Sequence, residues 1–255
     1  AIHNCFRALW MNLLGGCGFA VGIVIAGMQF NVTDMQSLIL CDGKLIVVPV
    51  ILLSFAALTK SAQMPFSKWL LGAMVAPTPS SALLHSATMV KAGVYLLLRL
   101  SPVLGDTYAG SMVSLVGGFT FLVMSMLAIT VSDGKKVLAY STISNLGLIT
   151  ACAGVGAKET VWAGMFLIIF HAISKSLLFQ TVGAIENATG SRDIETMHGL
   201  VRRHPYLAWT LVIGIAGMFL APFGMLISKW AALKAFVDCG SIVLVLFVCF
   251  GSATT

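Results

Sequence analysis

Four lysines, Lys60, Lys91, Lys175 and Lys229, fall inside or at the edge of long apolar stretches, and His85 and His171 accompany two of them. No aspartate or glutamate reaches comparable depth in the stretches predicted to span. A charged side chain in hydrocarbon costs several kcal/mol, so such residues line water paths or ion pathways. Removing an amine from water disfavours its charged form, which lets a buried lysine release and regain a proton near neutral pH, and histidine titrates there already. The set has the chemistry of a proton wire. The expected function is movement of protons, or of another monovalent cation, across a membrane.

Spacing separates the stations. His171 and Lys175 are four residues apart and share one helical face, with Ser174 and Ser176 beside them. His85 and Lys91 are six apart; on one continuous helix they point about 120° apart and lie about 9 Å along the axis, as successive stations would. Lys60 is followed by Ser61, Gln63 and Pro65, and Lys229 is preceded by Pro222 and Gly224, so both sit in polar or broken helix. A second reading stands beside each: Lys60 and Lys229 as lysines snorkelling to headgroups, His85 as a histidine bonded to a carbonyl inside a bundle.

The elements that must position these groups are membrane helices. Of 255 residues, 58% are hydrophobic and 9% charged, with a mean hydropathy of +0.98; soluble domains carry about 25% charged residues. Eight spans are predicted, at 8–30, 45–64, 80–98, 111–131, 138–156, 161–184, 206–228 and 241–255, most reaching the ~20 residues a crossing helix needs. The class is an all-α, polytopic membrane protein forming one transmembrane domain over 1–255. The chain starts at Ala1 and reads as an internal piece of a longer protein. Turn chemistry at 31–34, 77–80, 133–134 and 187–192 separates the spans, with Ser80 or Ser81 as an expected helix cap.

Alternating the connections puts Arg7, Lys68, Lys135, Lys136, Arg192, Arg202 and Arg203 on one side and Lys44, Arg99, Lys158 and Lys234 on the other. The positive-inside rule assigns the richer side to the cytoplasm of a plasma-membrane protein. Two proline-interrupted lysine spans five apart suggest two inverted repeats around a midplane site. The six cysteines show no paired or His-flanked spacing, so metal, cluster and disulfide frameworks are not indicated. Gly15-Gly16-x-Gly18 lies inside a span and reads as close helix packing. The net charge of +6 comes without a basic, aromatic-interleaved stripe and is no nucleic-acid signal.

These segments carry a family resemblance. Thr59–Phe66, Ala76–Gly93, Lys136–Asn145, His171–Phe179 and Pro222–Lys229 are similar to the antiporter-like membrane subunits of respiratory complex I. The stretch Met218–Trp230 resembles most the large membrane subunit of energy-converting (group 4) hydrogenases in the same superfamily. The resemblance implies a fourteen-helix fold of two inverted five-helix repeats, of which this chain is helices six to thirteen. It implies that Lys60 is the lysine of the broken seventh helix, His85 and Lys91 the relay of the eighth, His171 and Lys175 that of the eleventh, and Lys229 the lysine of the broken twelfth. The partner glutamate of the fifth helix would lie upstream of Ala1. It further implies a translocating subunit of an oxidoreductase, without a cofactor of its own. Other membrane subunits and a peripheral redox arm with iron–sulfur clusters and a NiFe or quinone site would be its partners. A subunit of a multi-subunit sodium/proton antiporter shares these motifs, and a scaffold with non-pumping lysines or a solute transporter are the readings from other classes.

Overall fold

The computed structural model describes residues 2–254 except 33, 42, 44, 87 and 220–223. The described residues are almost entirely helical and contain no strand longer than a single bridge. The helices are α1 (Ile2–Phe30), α2 (Met35–Leu40), α3 (Val47–Lys60), α4 (Lys68–Gly72), α5 (Thr78–Ser86), α6 (Met89–Leu104), α7 (Tyr108–Ile129), α8 (Gly134–Val155), α9 (Lys158–Thr189), α10 (Leu200–Arg203), α11 (Pro205–Phe219), α12 (Met225–Asp238) and α13 (Ile242–Thr254). Five segments are long and apolar enough to cross a bilayer: α1, α5 with α6, α7, α8 and α9; α3, α11 and α13 are shorter apolar helices. This is a polytopic helical membrane protein, as the hydropathy predicts.

The innermost helix is α8, buried along most of its length between α7, α9 and α6. Glycines set how close α7 and α8 come. A Cβ on Gly147 would stand 2.7 Å from the Gly117 carbonyl oxygen and 2.8 Å from the Phe121 nitrogen, and one on Gly154 would stand 2.7 Å from the Gly110 carbonyl. Small residues at matching positions let helix backbones touch, the main source of association where lipid is as apolar as the side chains. Gly147→Ala is therefore expected to force the pair apart and cost about 1–3 kcal/mol. Thermal unfolding of the purified full-length protein checks this, and an unchanged midpoint would show that α7 and α8 are not packed this tightly. On α1, Gly15 and Gly18 seat Thr59 and Phe55 of α3, as close packing requires, whereas Gly16 meets nothing.

Three predicted elements are corrected. The third span is not one helix: Thr88 between α5 and α6 has φ −115° and ψ −90°, and both its nitrogen (3.3 Å) and its hydroxyl (3.2 Å) donate to the Leu83 carbonyl. Hydroxyls that compete for helical carbonyls loosen the helix locally. Helix α5 also begins earlier than the Ser80/Ser81 cap implied, and Ser80 instead donates back to the Pro77 carbonyl at 2.8 Å. The seventh span divides into α11 and α12, so Lys229 lies within α12 rather than beyond a span end; the Pro222 expected to break it lies outside the described residues. Gly224 opens α12 with φ +82°, a left-handed conformation that favours glycine, and any Cβ there would enter the Phe170 ring of α9. That contact docks α12, and Lys229 with it, on α9.

Candidate functional site

Helix α9 is the spine of the site, since α5, α8, α11 and α12 all pack on it. Its residues Leu167, His171, Ser174, Lys175 and Leu178 are buried. The Lys175 ammonium, with the side chain 1% exposed, donates to the Leu138 carbonyl at 3.3 Å and to the Ser141 hydroxyl, both on α8. From α6, Lys91 donates to the Ile168 carbonyl of α9 at 2.7 Å. From α5, the His85 ring stacks on Phe179 with centroids 4.8 Å apart and an interplanar angle of 29°. From α12, the buried Lys229 ammonium lies over the Phe219 ring, 5.8 Å from its centroid, a cation–π geometry.

These five groups share one electrostatic neighbourhood. His171 is within range of Lys91, Lys175, His85 and Lys229, and Lys175 is within range of Lys229. The structure thus brings five of the six expected residues together from four helices. His85 and Lys91 belong to separate segments, so the 120° and 9 Å inferred for a continuous helix do not apply; both nevertheless point into the cluster. Fully buried, His85 and His171 have both ring nitrogens without a hydrogen-bond partner among the described residues, so His85 does not match the carbonyl-bonded bundle histidine of its second reading.

Lys60 stands apart. It ends α3, is half-buried, and lines a cleft of about 240 Å³ with Asn12, Gly15, Ala92 and Gly93, between α1, α3 and α6. A Cβ at Gly93 would collide with the Ala57 carbonyl and the Ser61 nitrogen, so α6 lies directly on the end of α3. Lys60 and Lys91 occupy opposite sides of α6, one in this cleft and the other against α9.

Several polar residues that hydropathy passes over belong to the same interior. Ser141 and Asn145 of α8 are linked, the Asn145 amide donating to the Ser141 carbonyl at 2.7 Å. Ser125 and Ser144 pair at 2.7 Å across α7 and α8. Buried Gln63 donates to the Ser61 carbonyl at 3.0 Å. The sequence signal was available in the Ser/Thr/Asn spacing of Tyr140–Asn145 on an otherwise apolar span. A cavity of about 410 Å³ is lined by Lys175 and Ser141 together with Leu138, Val182, Gly134, Ile194 and Met197.

One correction concerns charge. Lys135, expected in a loop, is 2% exposed, and its ammonium meets Glu186 at 2.6 Å; Arg192 pairs with the same carboxylate. Both lie in helices longer than predicted: α8 starts at Gly134, capped by Asp133 accepting from the Lys135 and Lys136 nitrogens at 3.0 and 3.3 Å, and α9 runs to Thr189. An acid therefore does lie within a membrane-length helix, though it pairs with Lys135 and Arg192 rather than with the cluster.

The fold and site define a helical membrane protein with a cluster of lysine and histidine side chains in its interior. The chain belongs to the NADH:quinone oxidoreductase/Mrp antiporter transmembrane family, whose model matches residues 1–255. It is 41% identical over 221 residues, 84% of this chain and 22% of the relative, to a probable K(+)/H(+) antiporter subunit of Rhizobium meliloti (strain 1021). It is 38% identical over 248 residues, 89% of this chain and 31% of the relative, to a Na(+)/H(+) antiporter subunit of Bacillus subtilis (strain 168). Its fold is similar to the Mrp complex from Dietzia sp. DQ12-45-1b, with a TM-score of 0.90 and 34% identity over 98% of this chain and 29% of that one. It is also similar to an archaeal membrane-bound sulfane sulfur reductase, with a TM-score of 0.85 and 27% identity over 95% of this chain and 52% of that one.

The chain thus spans between about a fifth and a third of the curated relatives just named. The superfamily indicated by the motifs is the right one. The oxidoreductase expectation is overturned: these curated relatives are named as antiporter subunits, and they give no support to a peripheral redox arm. The motifs misled on this point because one family holds both the NADH:quinone oxidoreductase and the Mrp antiporter transmembrane segments.

Proposed function

We propose that this chain is the helical core of a cation/proton antiporter subunit, in which protons pass among His85, Lys91, His171, Lys175 and Lys229, with Lys60 a separate station beyond α6. One observation carries this reading: five titratable side chains from four helices converge on α9 within an apolar body. Ionisable groups at membrane depth that face the bundle interior are the usual material of proton relays. The relatives named as Na(+)/H(+) and K(+)/H(+) antiporter subunits support the same conclusion and leave sodium and potassium as the two cations to test. On this reading the chain works with other membrane subunits in a plasma membrane, its Arg- and Lys-rich loops on the cytoplasmic side.

The test uses the full-length subunit in its complex, in everted vesicles acidified by respiration. Addition of sodium or potassium chloride is expected to release the acid load in vesicles that contain the complex and not in vesicles that lack it. Absence of release with either salt would overturn the proposal, and would favour a scaffold whose lysines only hold helices together.

A further inference from the structure

The interior of α8 holds a polar group that the relay proposed above does not include. Asn145 is fully buried; its amide nitrogen donates to Ser141, but its oxygen accepts no hydrogen bond among the described residues. Its position follows from the pairing of α8 with α9. Leu138 receives Lys175, while a Cβ on Gly164 would meet Cys152 at 3.5 Å and Ile149 at 3.8 Å. Helices α8 and α9 are thus antiparallel, with Leu138 near the level of Lys175 and the Ile149–Cys152 turn near that of Gly164. Leu138, Thr142, Asn145, Ile149 and Cys152 follow the spacing of one helical seam.

Asn145, between these two levels of α8, lies level with the turn of α9 that holds Ile168 and His171. The Ile168 carbonyl is the one that holds the Lys91 ammonium, and His171 follows three residues later. Three buried polar atoms without partners among the described residues, the Asn145 oxygen and both His171 ring nitrogens, therefore lie at about the same level of the bundle. Leaving such atoms unpaired costs about 1–3 kcal/mol each, and buried groups in this condition are normally satisfied by ordered water.

We infer that Asn145 is a positioning residue of the relay, its carbonyl oxygen orienting a water that joins His171 to Lys91. The amide suits this task because it carries both a donor and an acceptor and does not titrate, so it can hold a water without trapping the proton. The water takes up one proton and releases another, and neither it nor Asn145 changes charge. This inference rests on the antiporter reading given above.

The experiment compares Asn145→Leu and Asn145→Ser in the full-length subunit within its complex, reading the initial rate of cation-driven proton release and the amount of assembled complex. Leucine matches asparagine in shape and suits an apolar seam, so a packing role predicts that it is tolerated and that serine is worse. A water-orienting role predicts the reverse: Asn145→Leu assembles but loses about tenfold or more of the rate, and Asn145→Ser, which keeps a hydroxyl and leaves room for another water, stays within about threefold of the parent. Wild-type rate in Asn145→Leu, or a loss in Asn145→Ser as large as in Asn145→Leu, overturns the inference. If the unaltered complex itself exchanges no protons, it is the antiporter reading that fails.

Discussion

Lys175→Met is expected to reduce cation-driven proton release by on the order of 100-fold, with assembly of the complex retained. Methionine keeps the apolar stem and fills the same channel between α8 and α9, so the substitution removes the amine with little change in packing. What disappears is a group 1% exposed that touches both Leu138 and Ser141 and lies within the fields of His171, His85 and Lys229. Lys175 and Ser141 also line a cavity of about 410 Å³ shared with Gly134 and Met197. Initial rates in everted vesicles measure the effect. A rate within about twofold of the parent would mean that no transition state of transport depends on this amine.

Glu186→Gln is expected to be the most destabilising single change at the end of the bundle, by about 3–5 kcal/mol. Lys135 is 2% exposed and Glu186 18%, so the lysine cannot turn to water when its partner is neutralised. The Arg192 guanidinium on the same carboxylate would then add like-charge repulsion. Lys135→Met should cost less, because Glu186 keeps Arg192. The double variant Lys135→Met/Glu186→Gln should recover much of the loss, since replacing a buried pair by apolar or neutral groups is often close to neutral. Melting of the purified full-length protein in detergent reads all three. A Glu186→Gln midpoint equal to the parent's would show that the ion pair closing α8 onto α9 is not formed.

The two parts of the buried cluster were legible from sequence to different degrees. His171 and Lys175 are four apart on an uninterrupted helix, so spacing alone predicted a shared face, and the structure places both on the buried side of α9. His85 and Lys91 were equally visible as residues, but their relation was not. It depends on the break at Thr88, where local hydroxyl–carbonyl bonds compete with the helix and no proline or glycine marks the change. Lys135 and Glu186 were misread for another reason: hydropathy ends a span at the first charges, whereas here the helices continue and the charges neutralise one another across the gap.

Composition and the 3.6-residue period by themselves determined that this chain is a bundle of membrane helices with basic and imidazole groups in its interior, because lipid leaves a backbone few ways to satisfy its hydrogen bonds and makes every buried charge conspicuous. Which of those groups meet was decided only in three dimensions. The glycine contacts that draw α7 against α8, the Gly224 turn that seats α12 on Phe170, and the reach of Lys175 from α9 to Leu138 of α8 are relations between residues remote in sequence. They gather Lys91, His171, Lys175, His85 and Lys229 around one helix and leave Lys60 on the far side of α6. Spacing along a helix reports its own faces; what a face is turned toward depends on how closely the neighbouring backbones can approach.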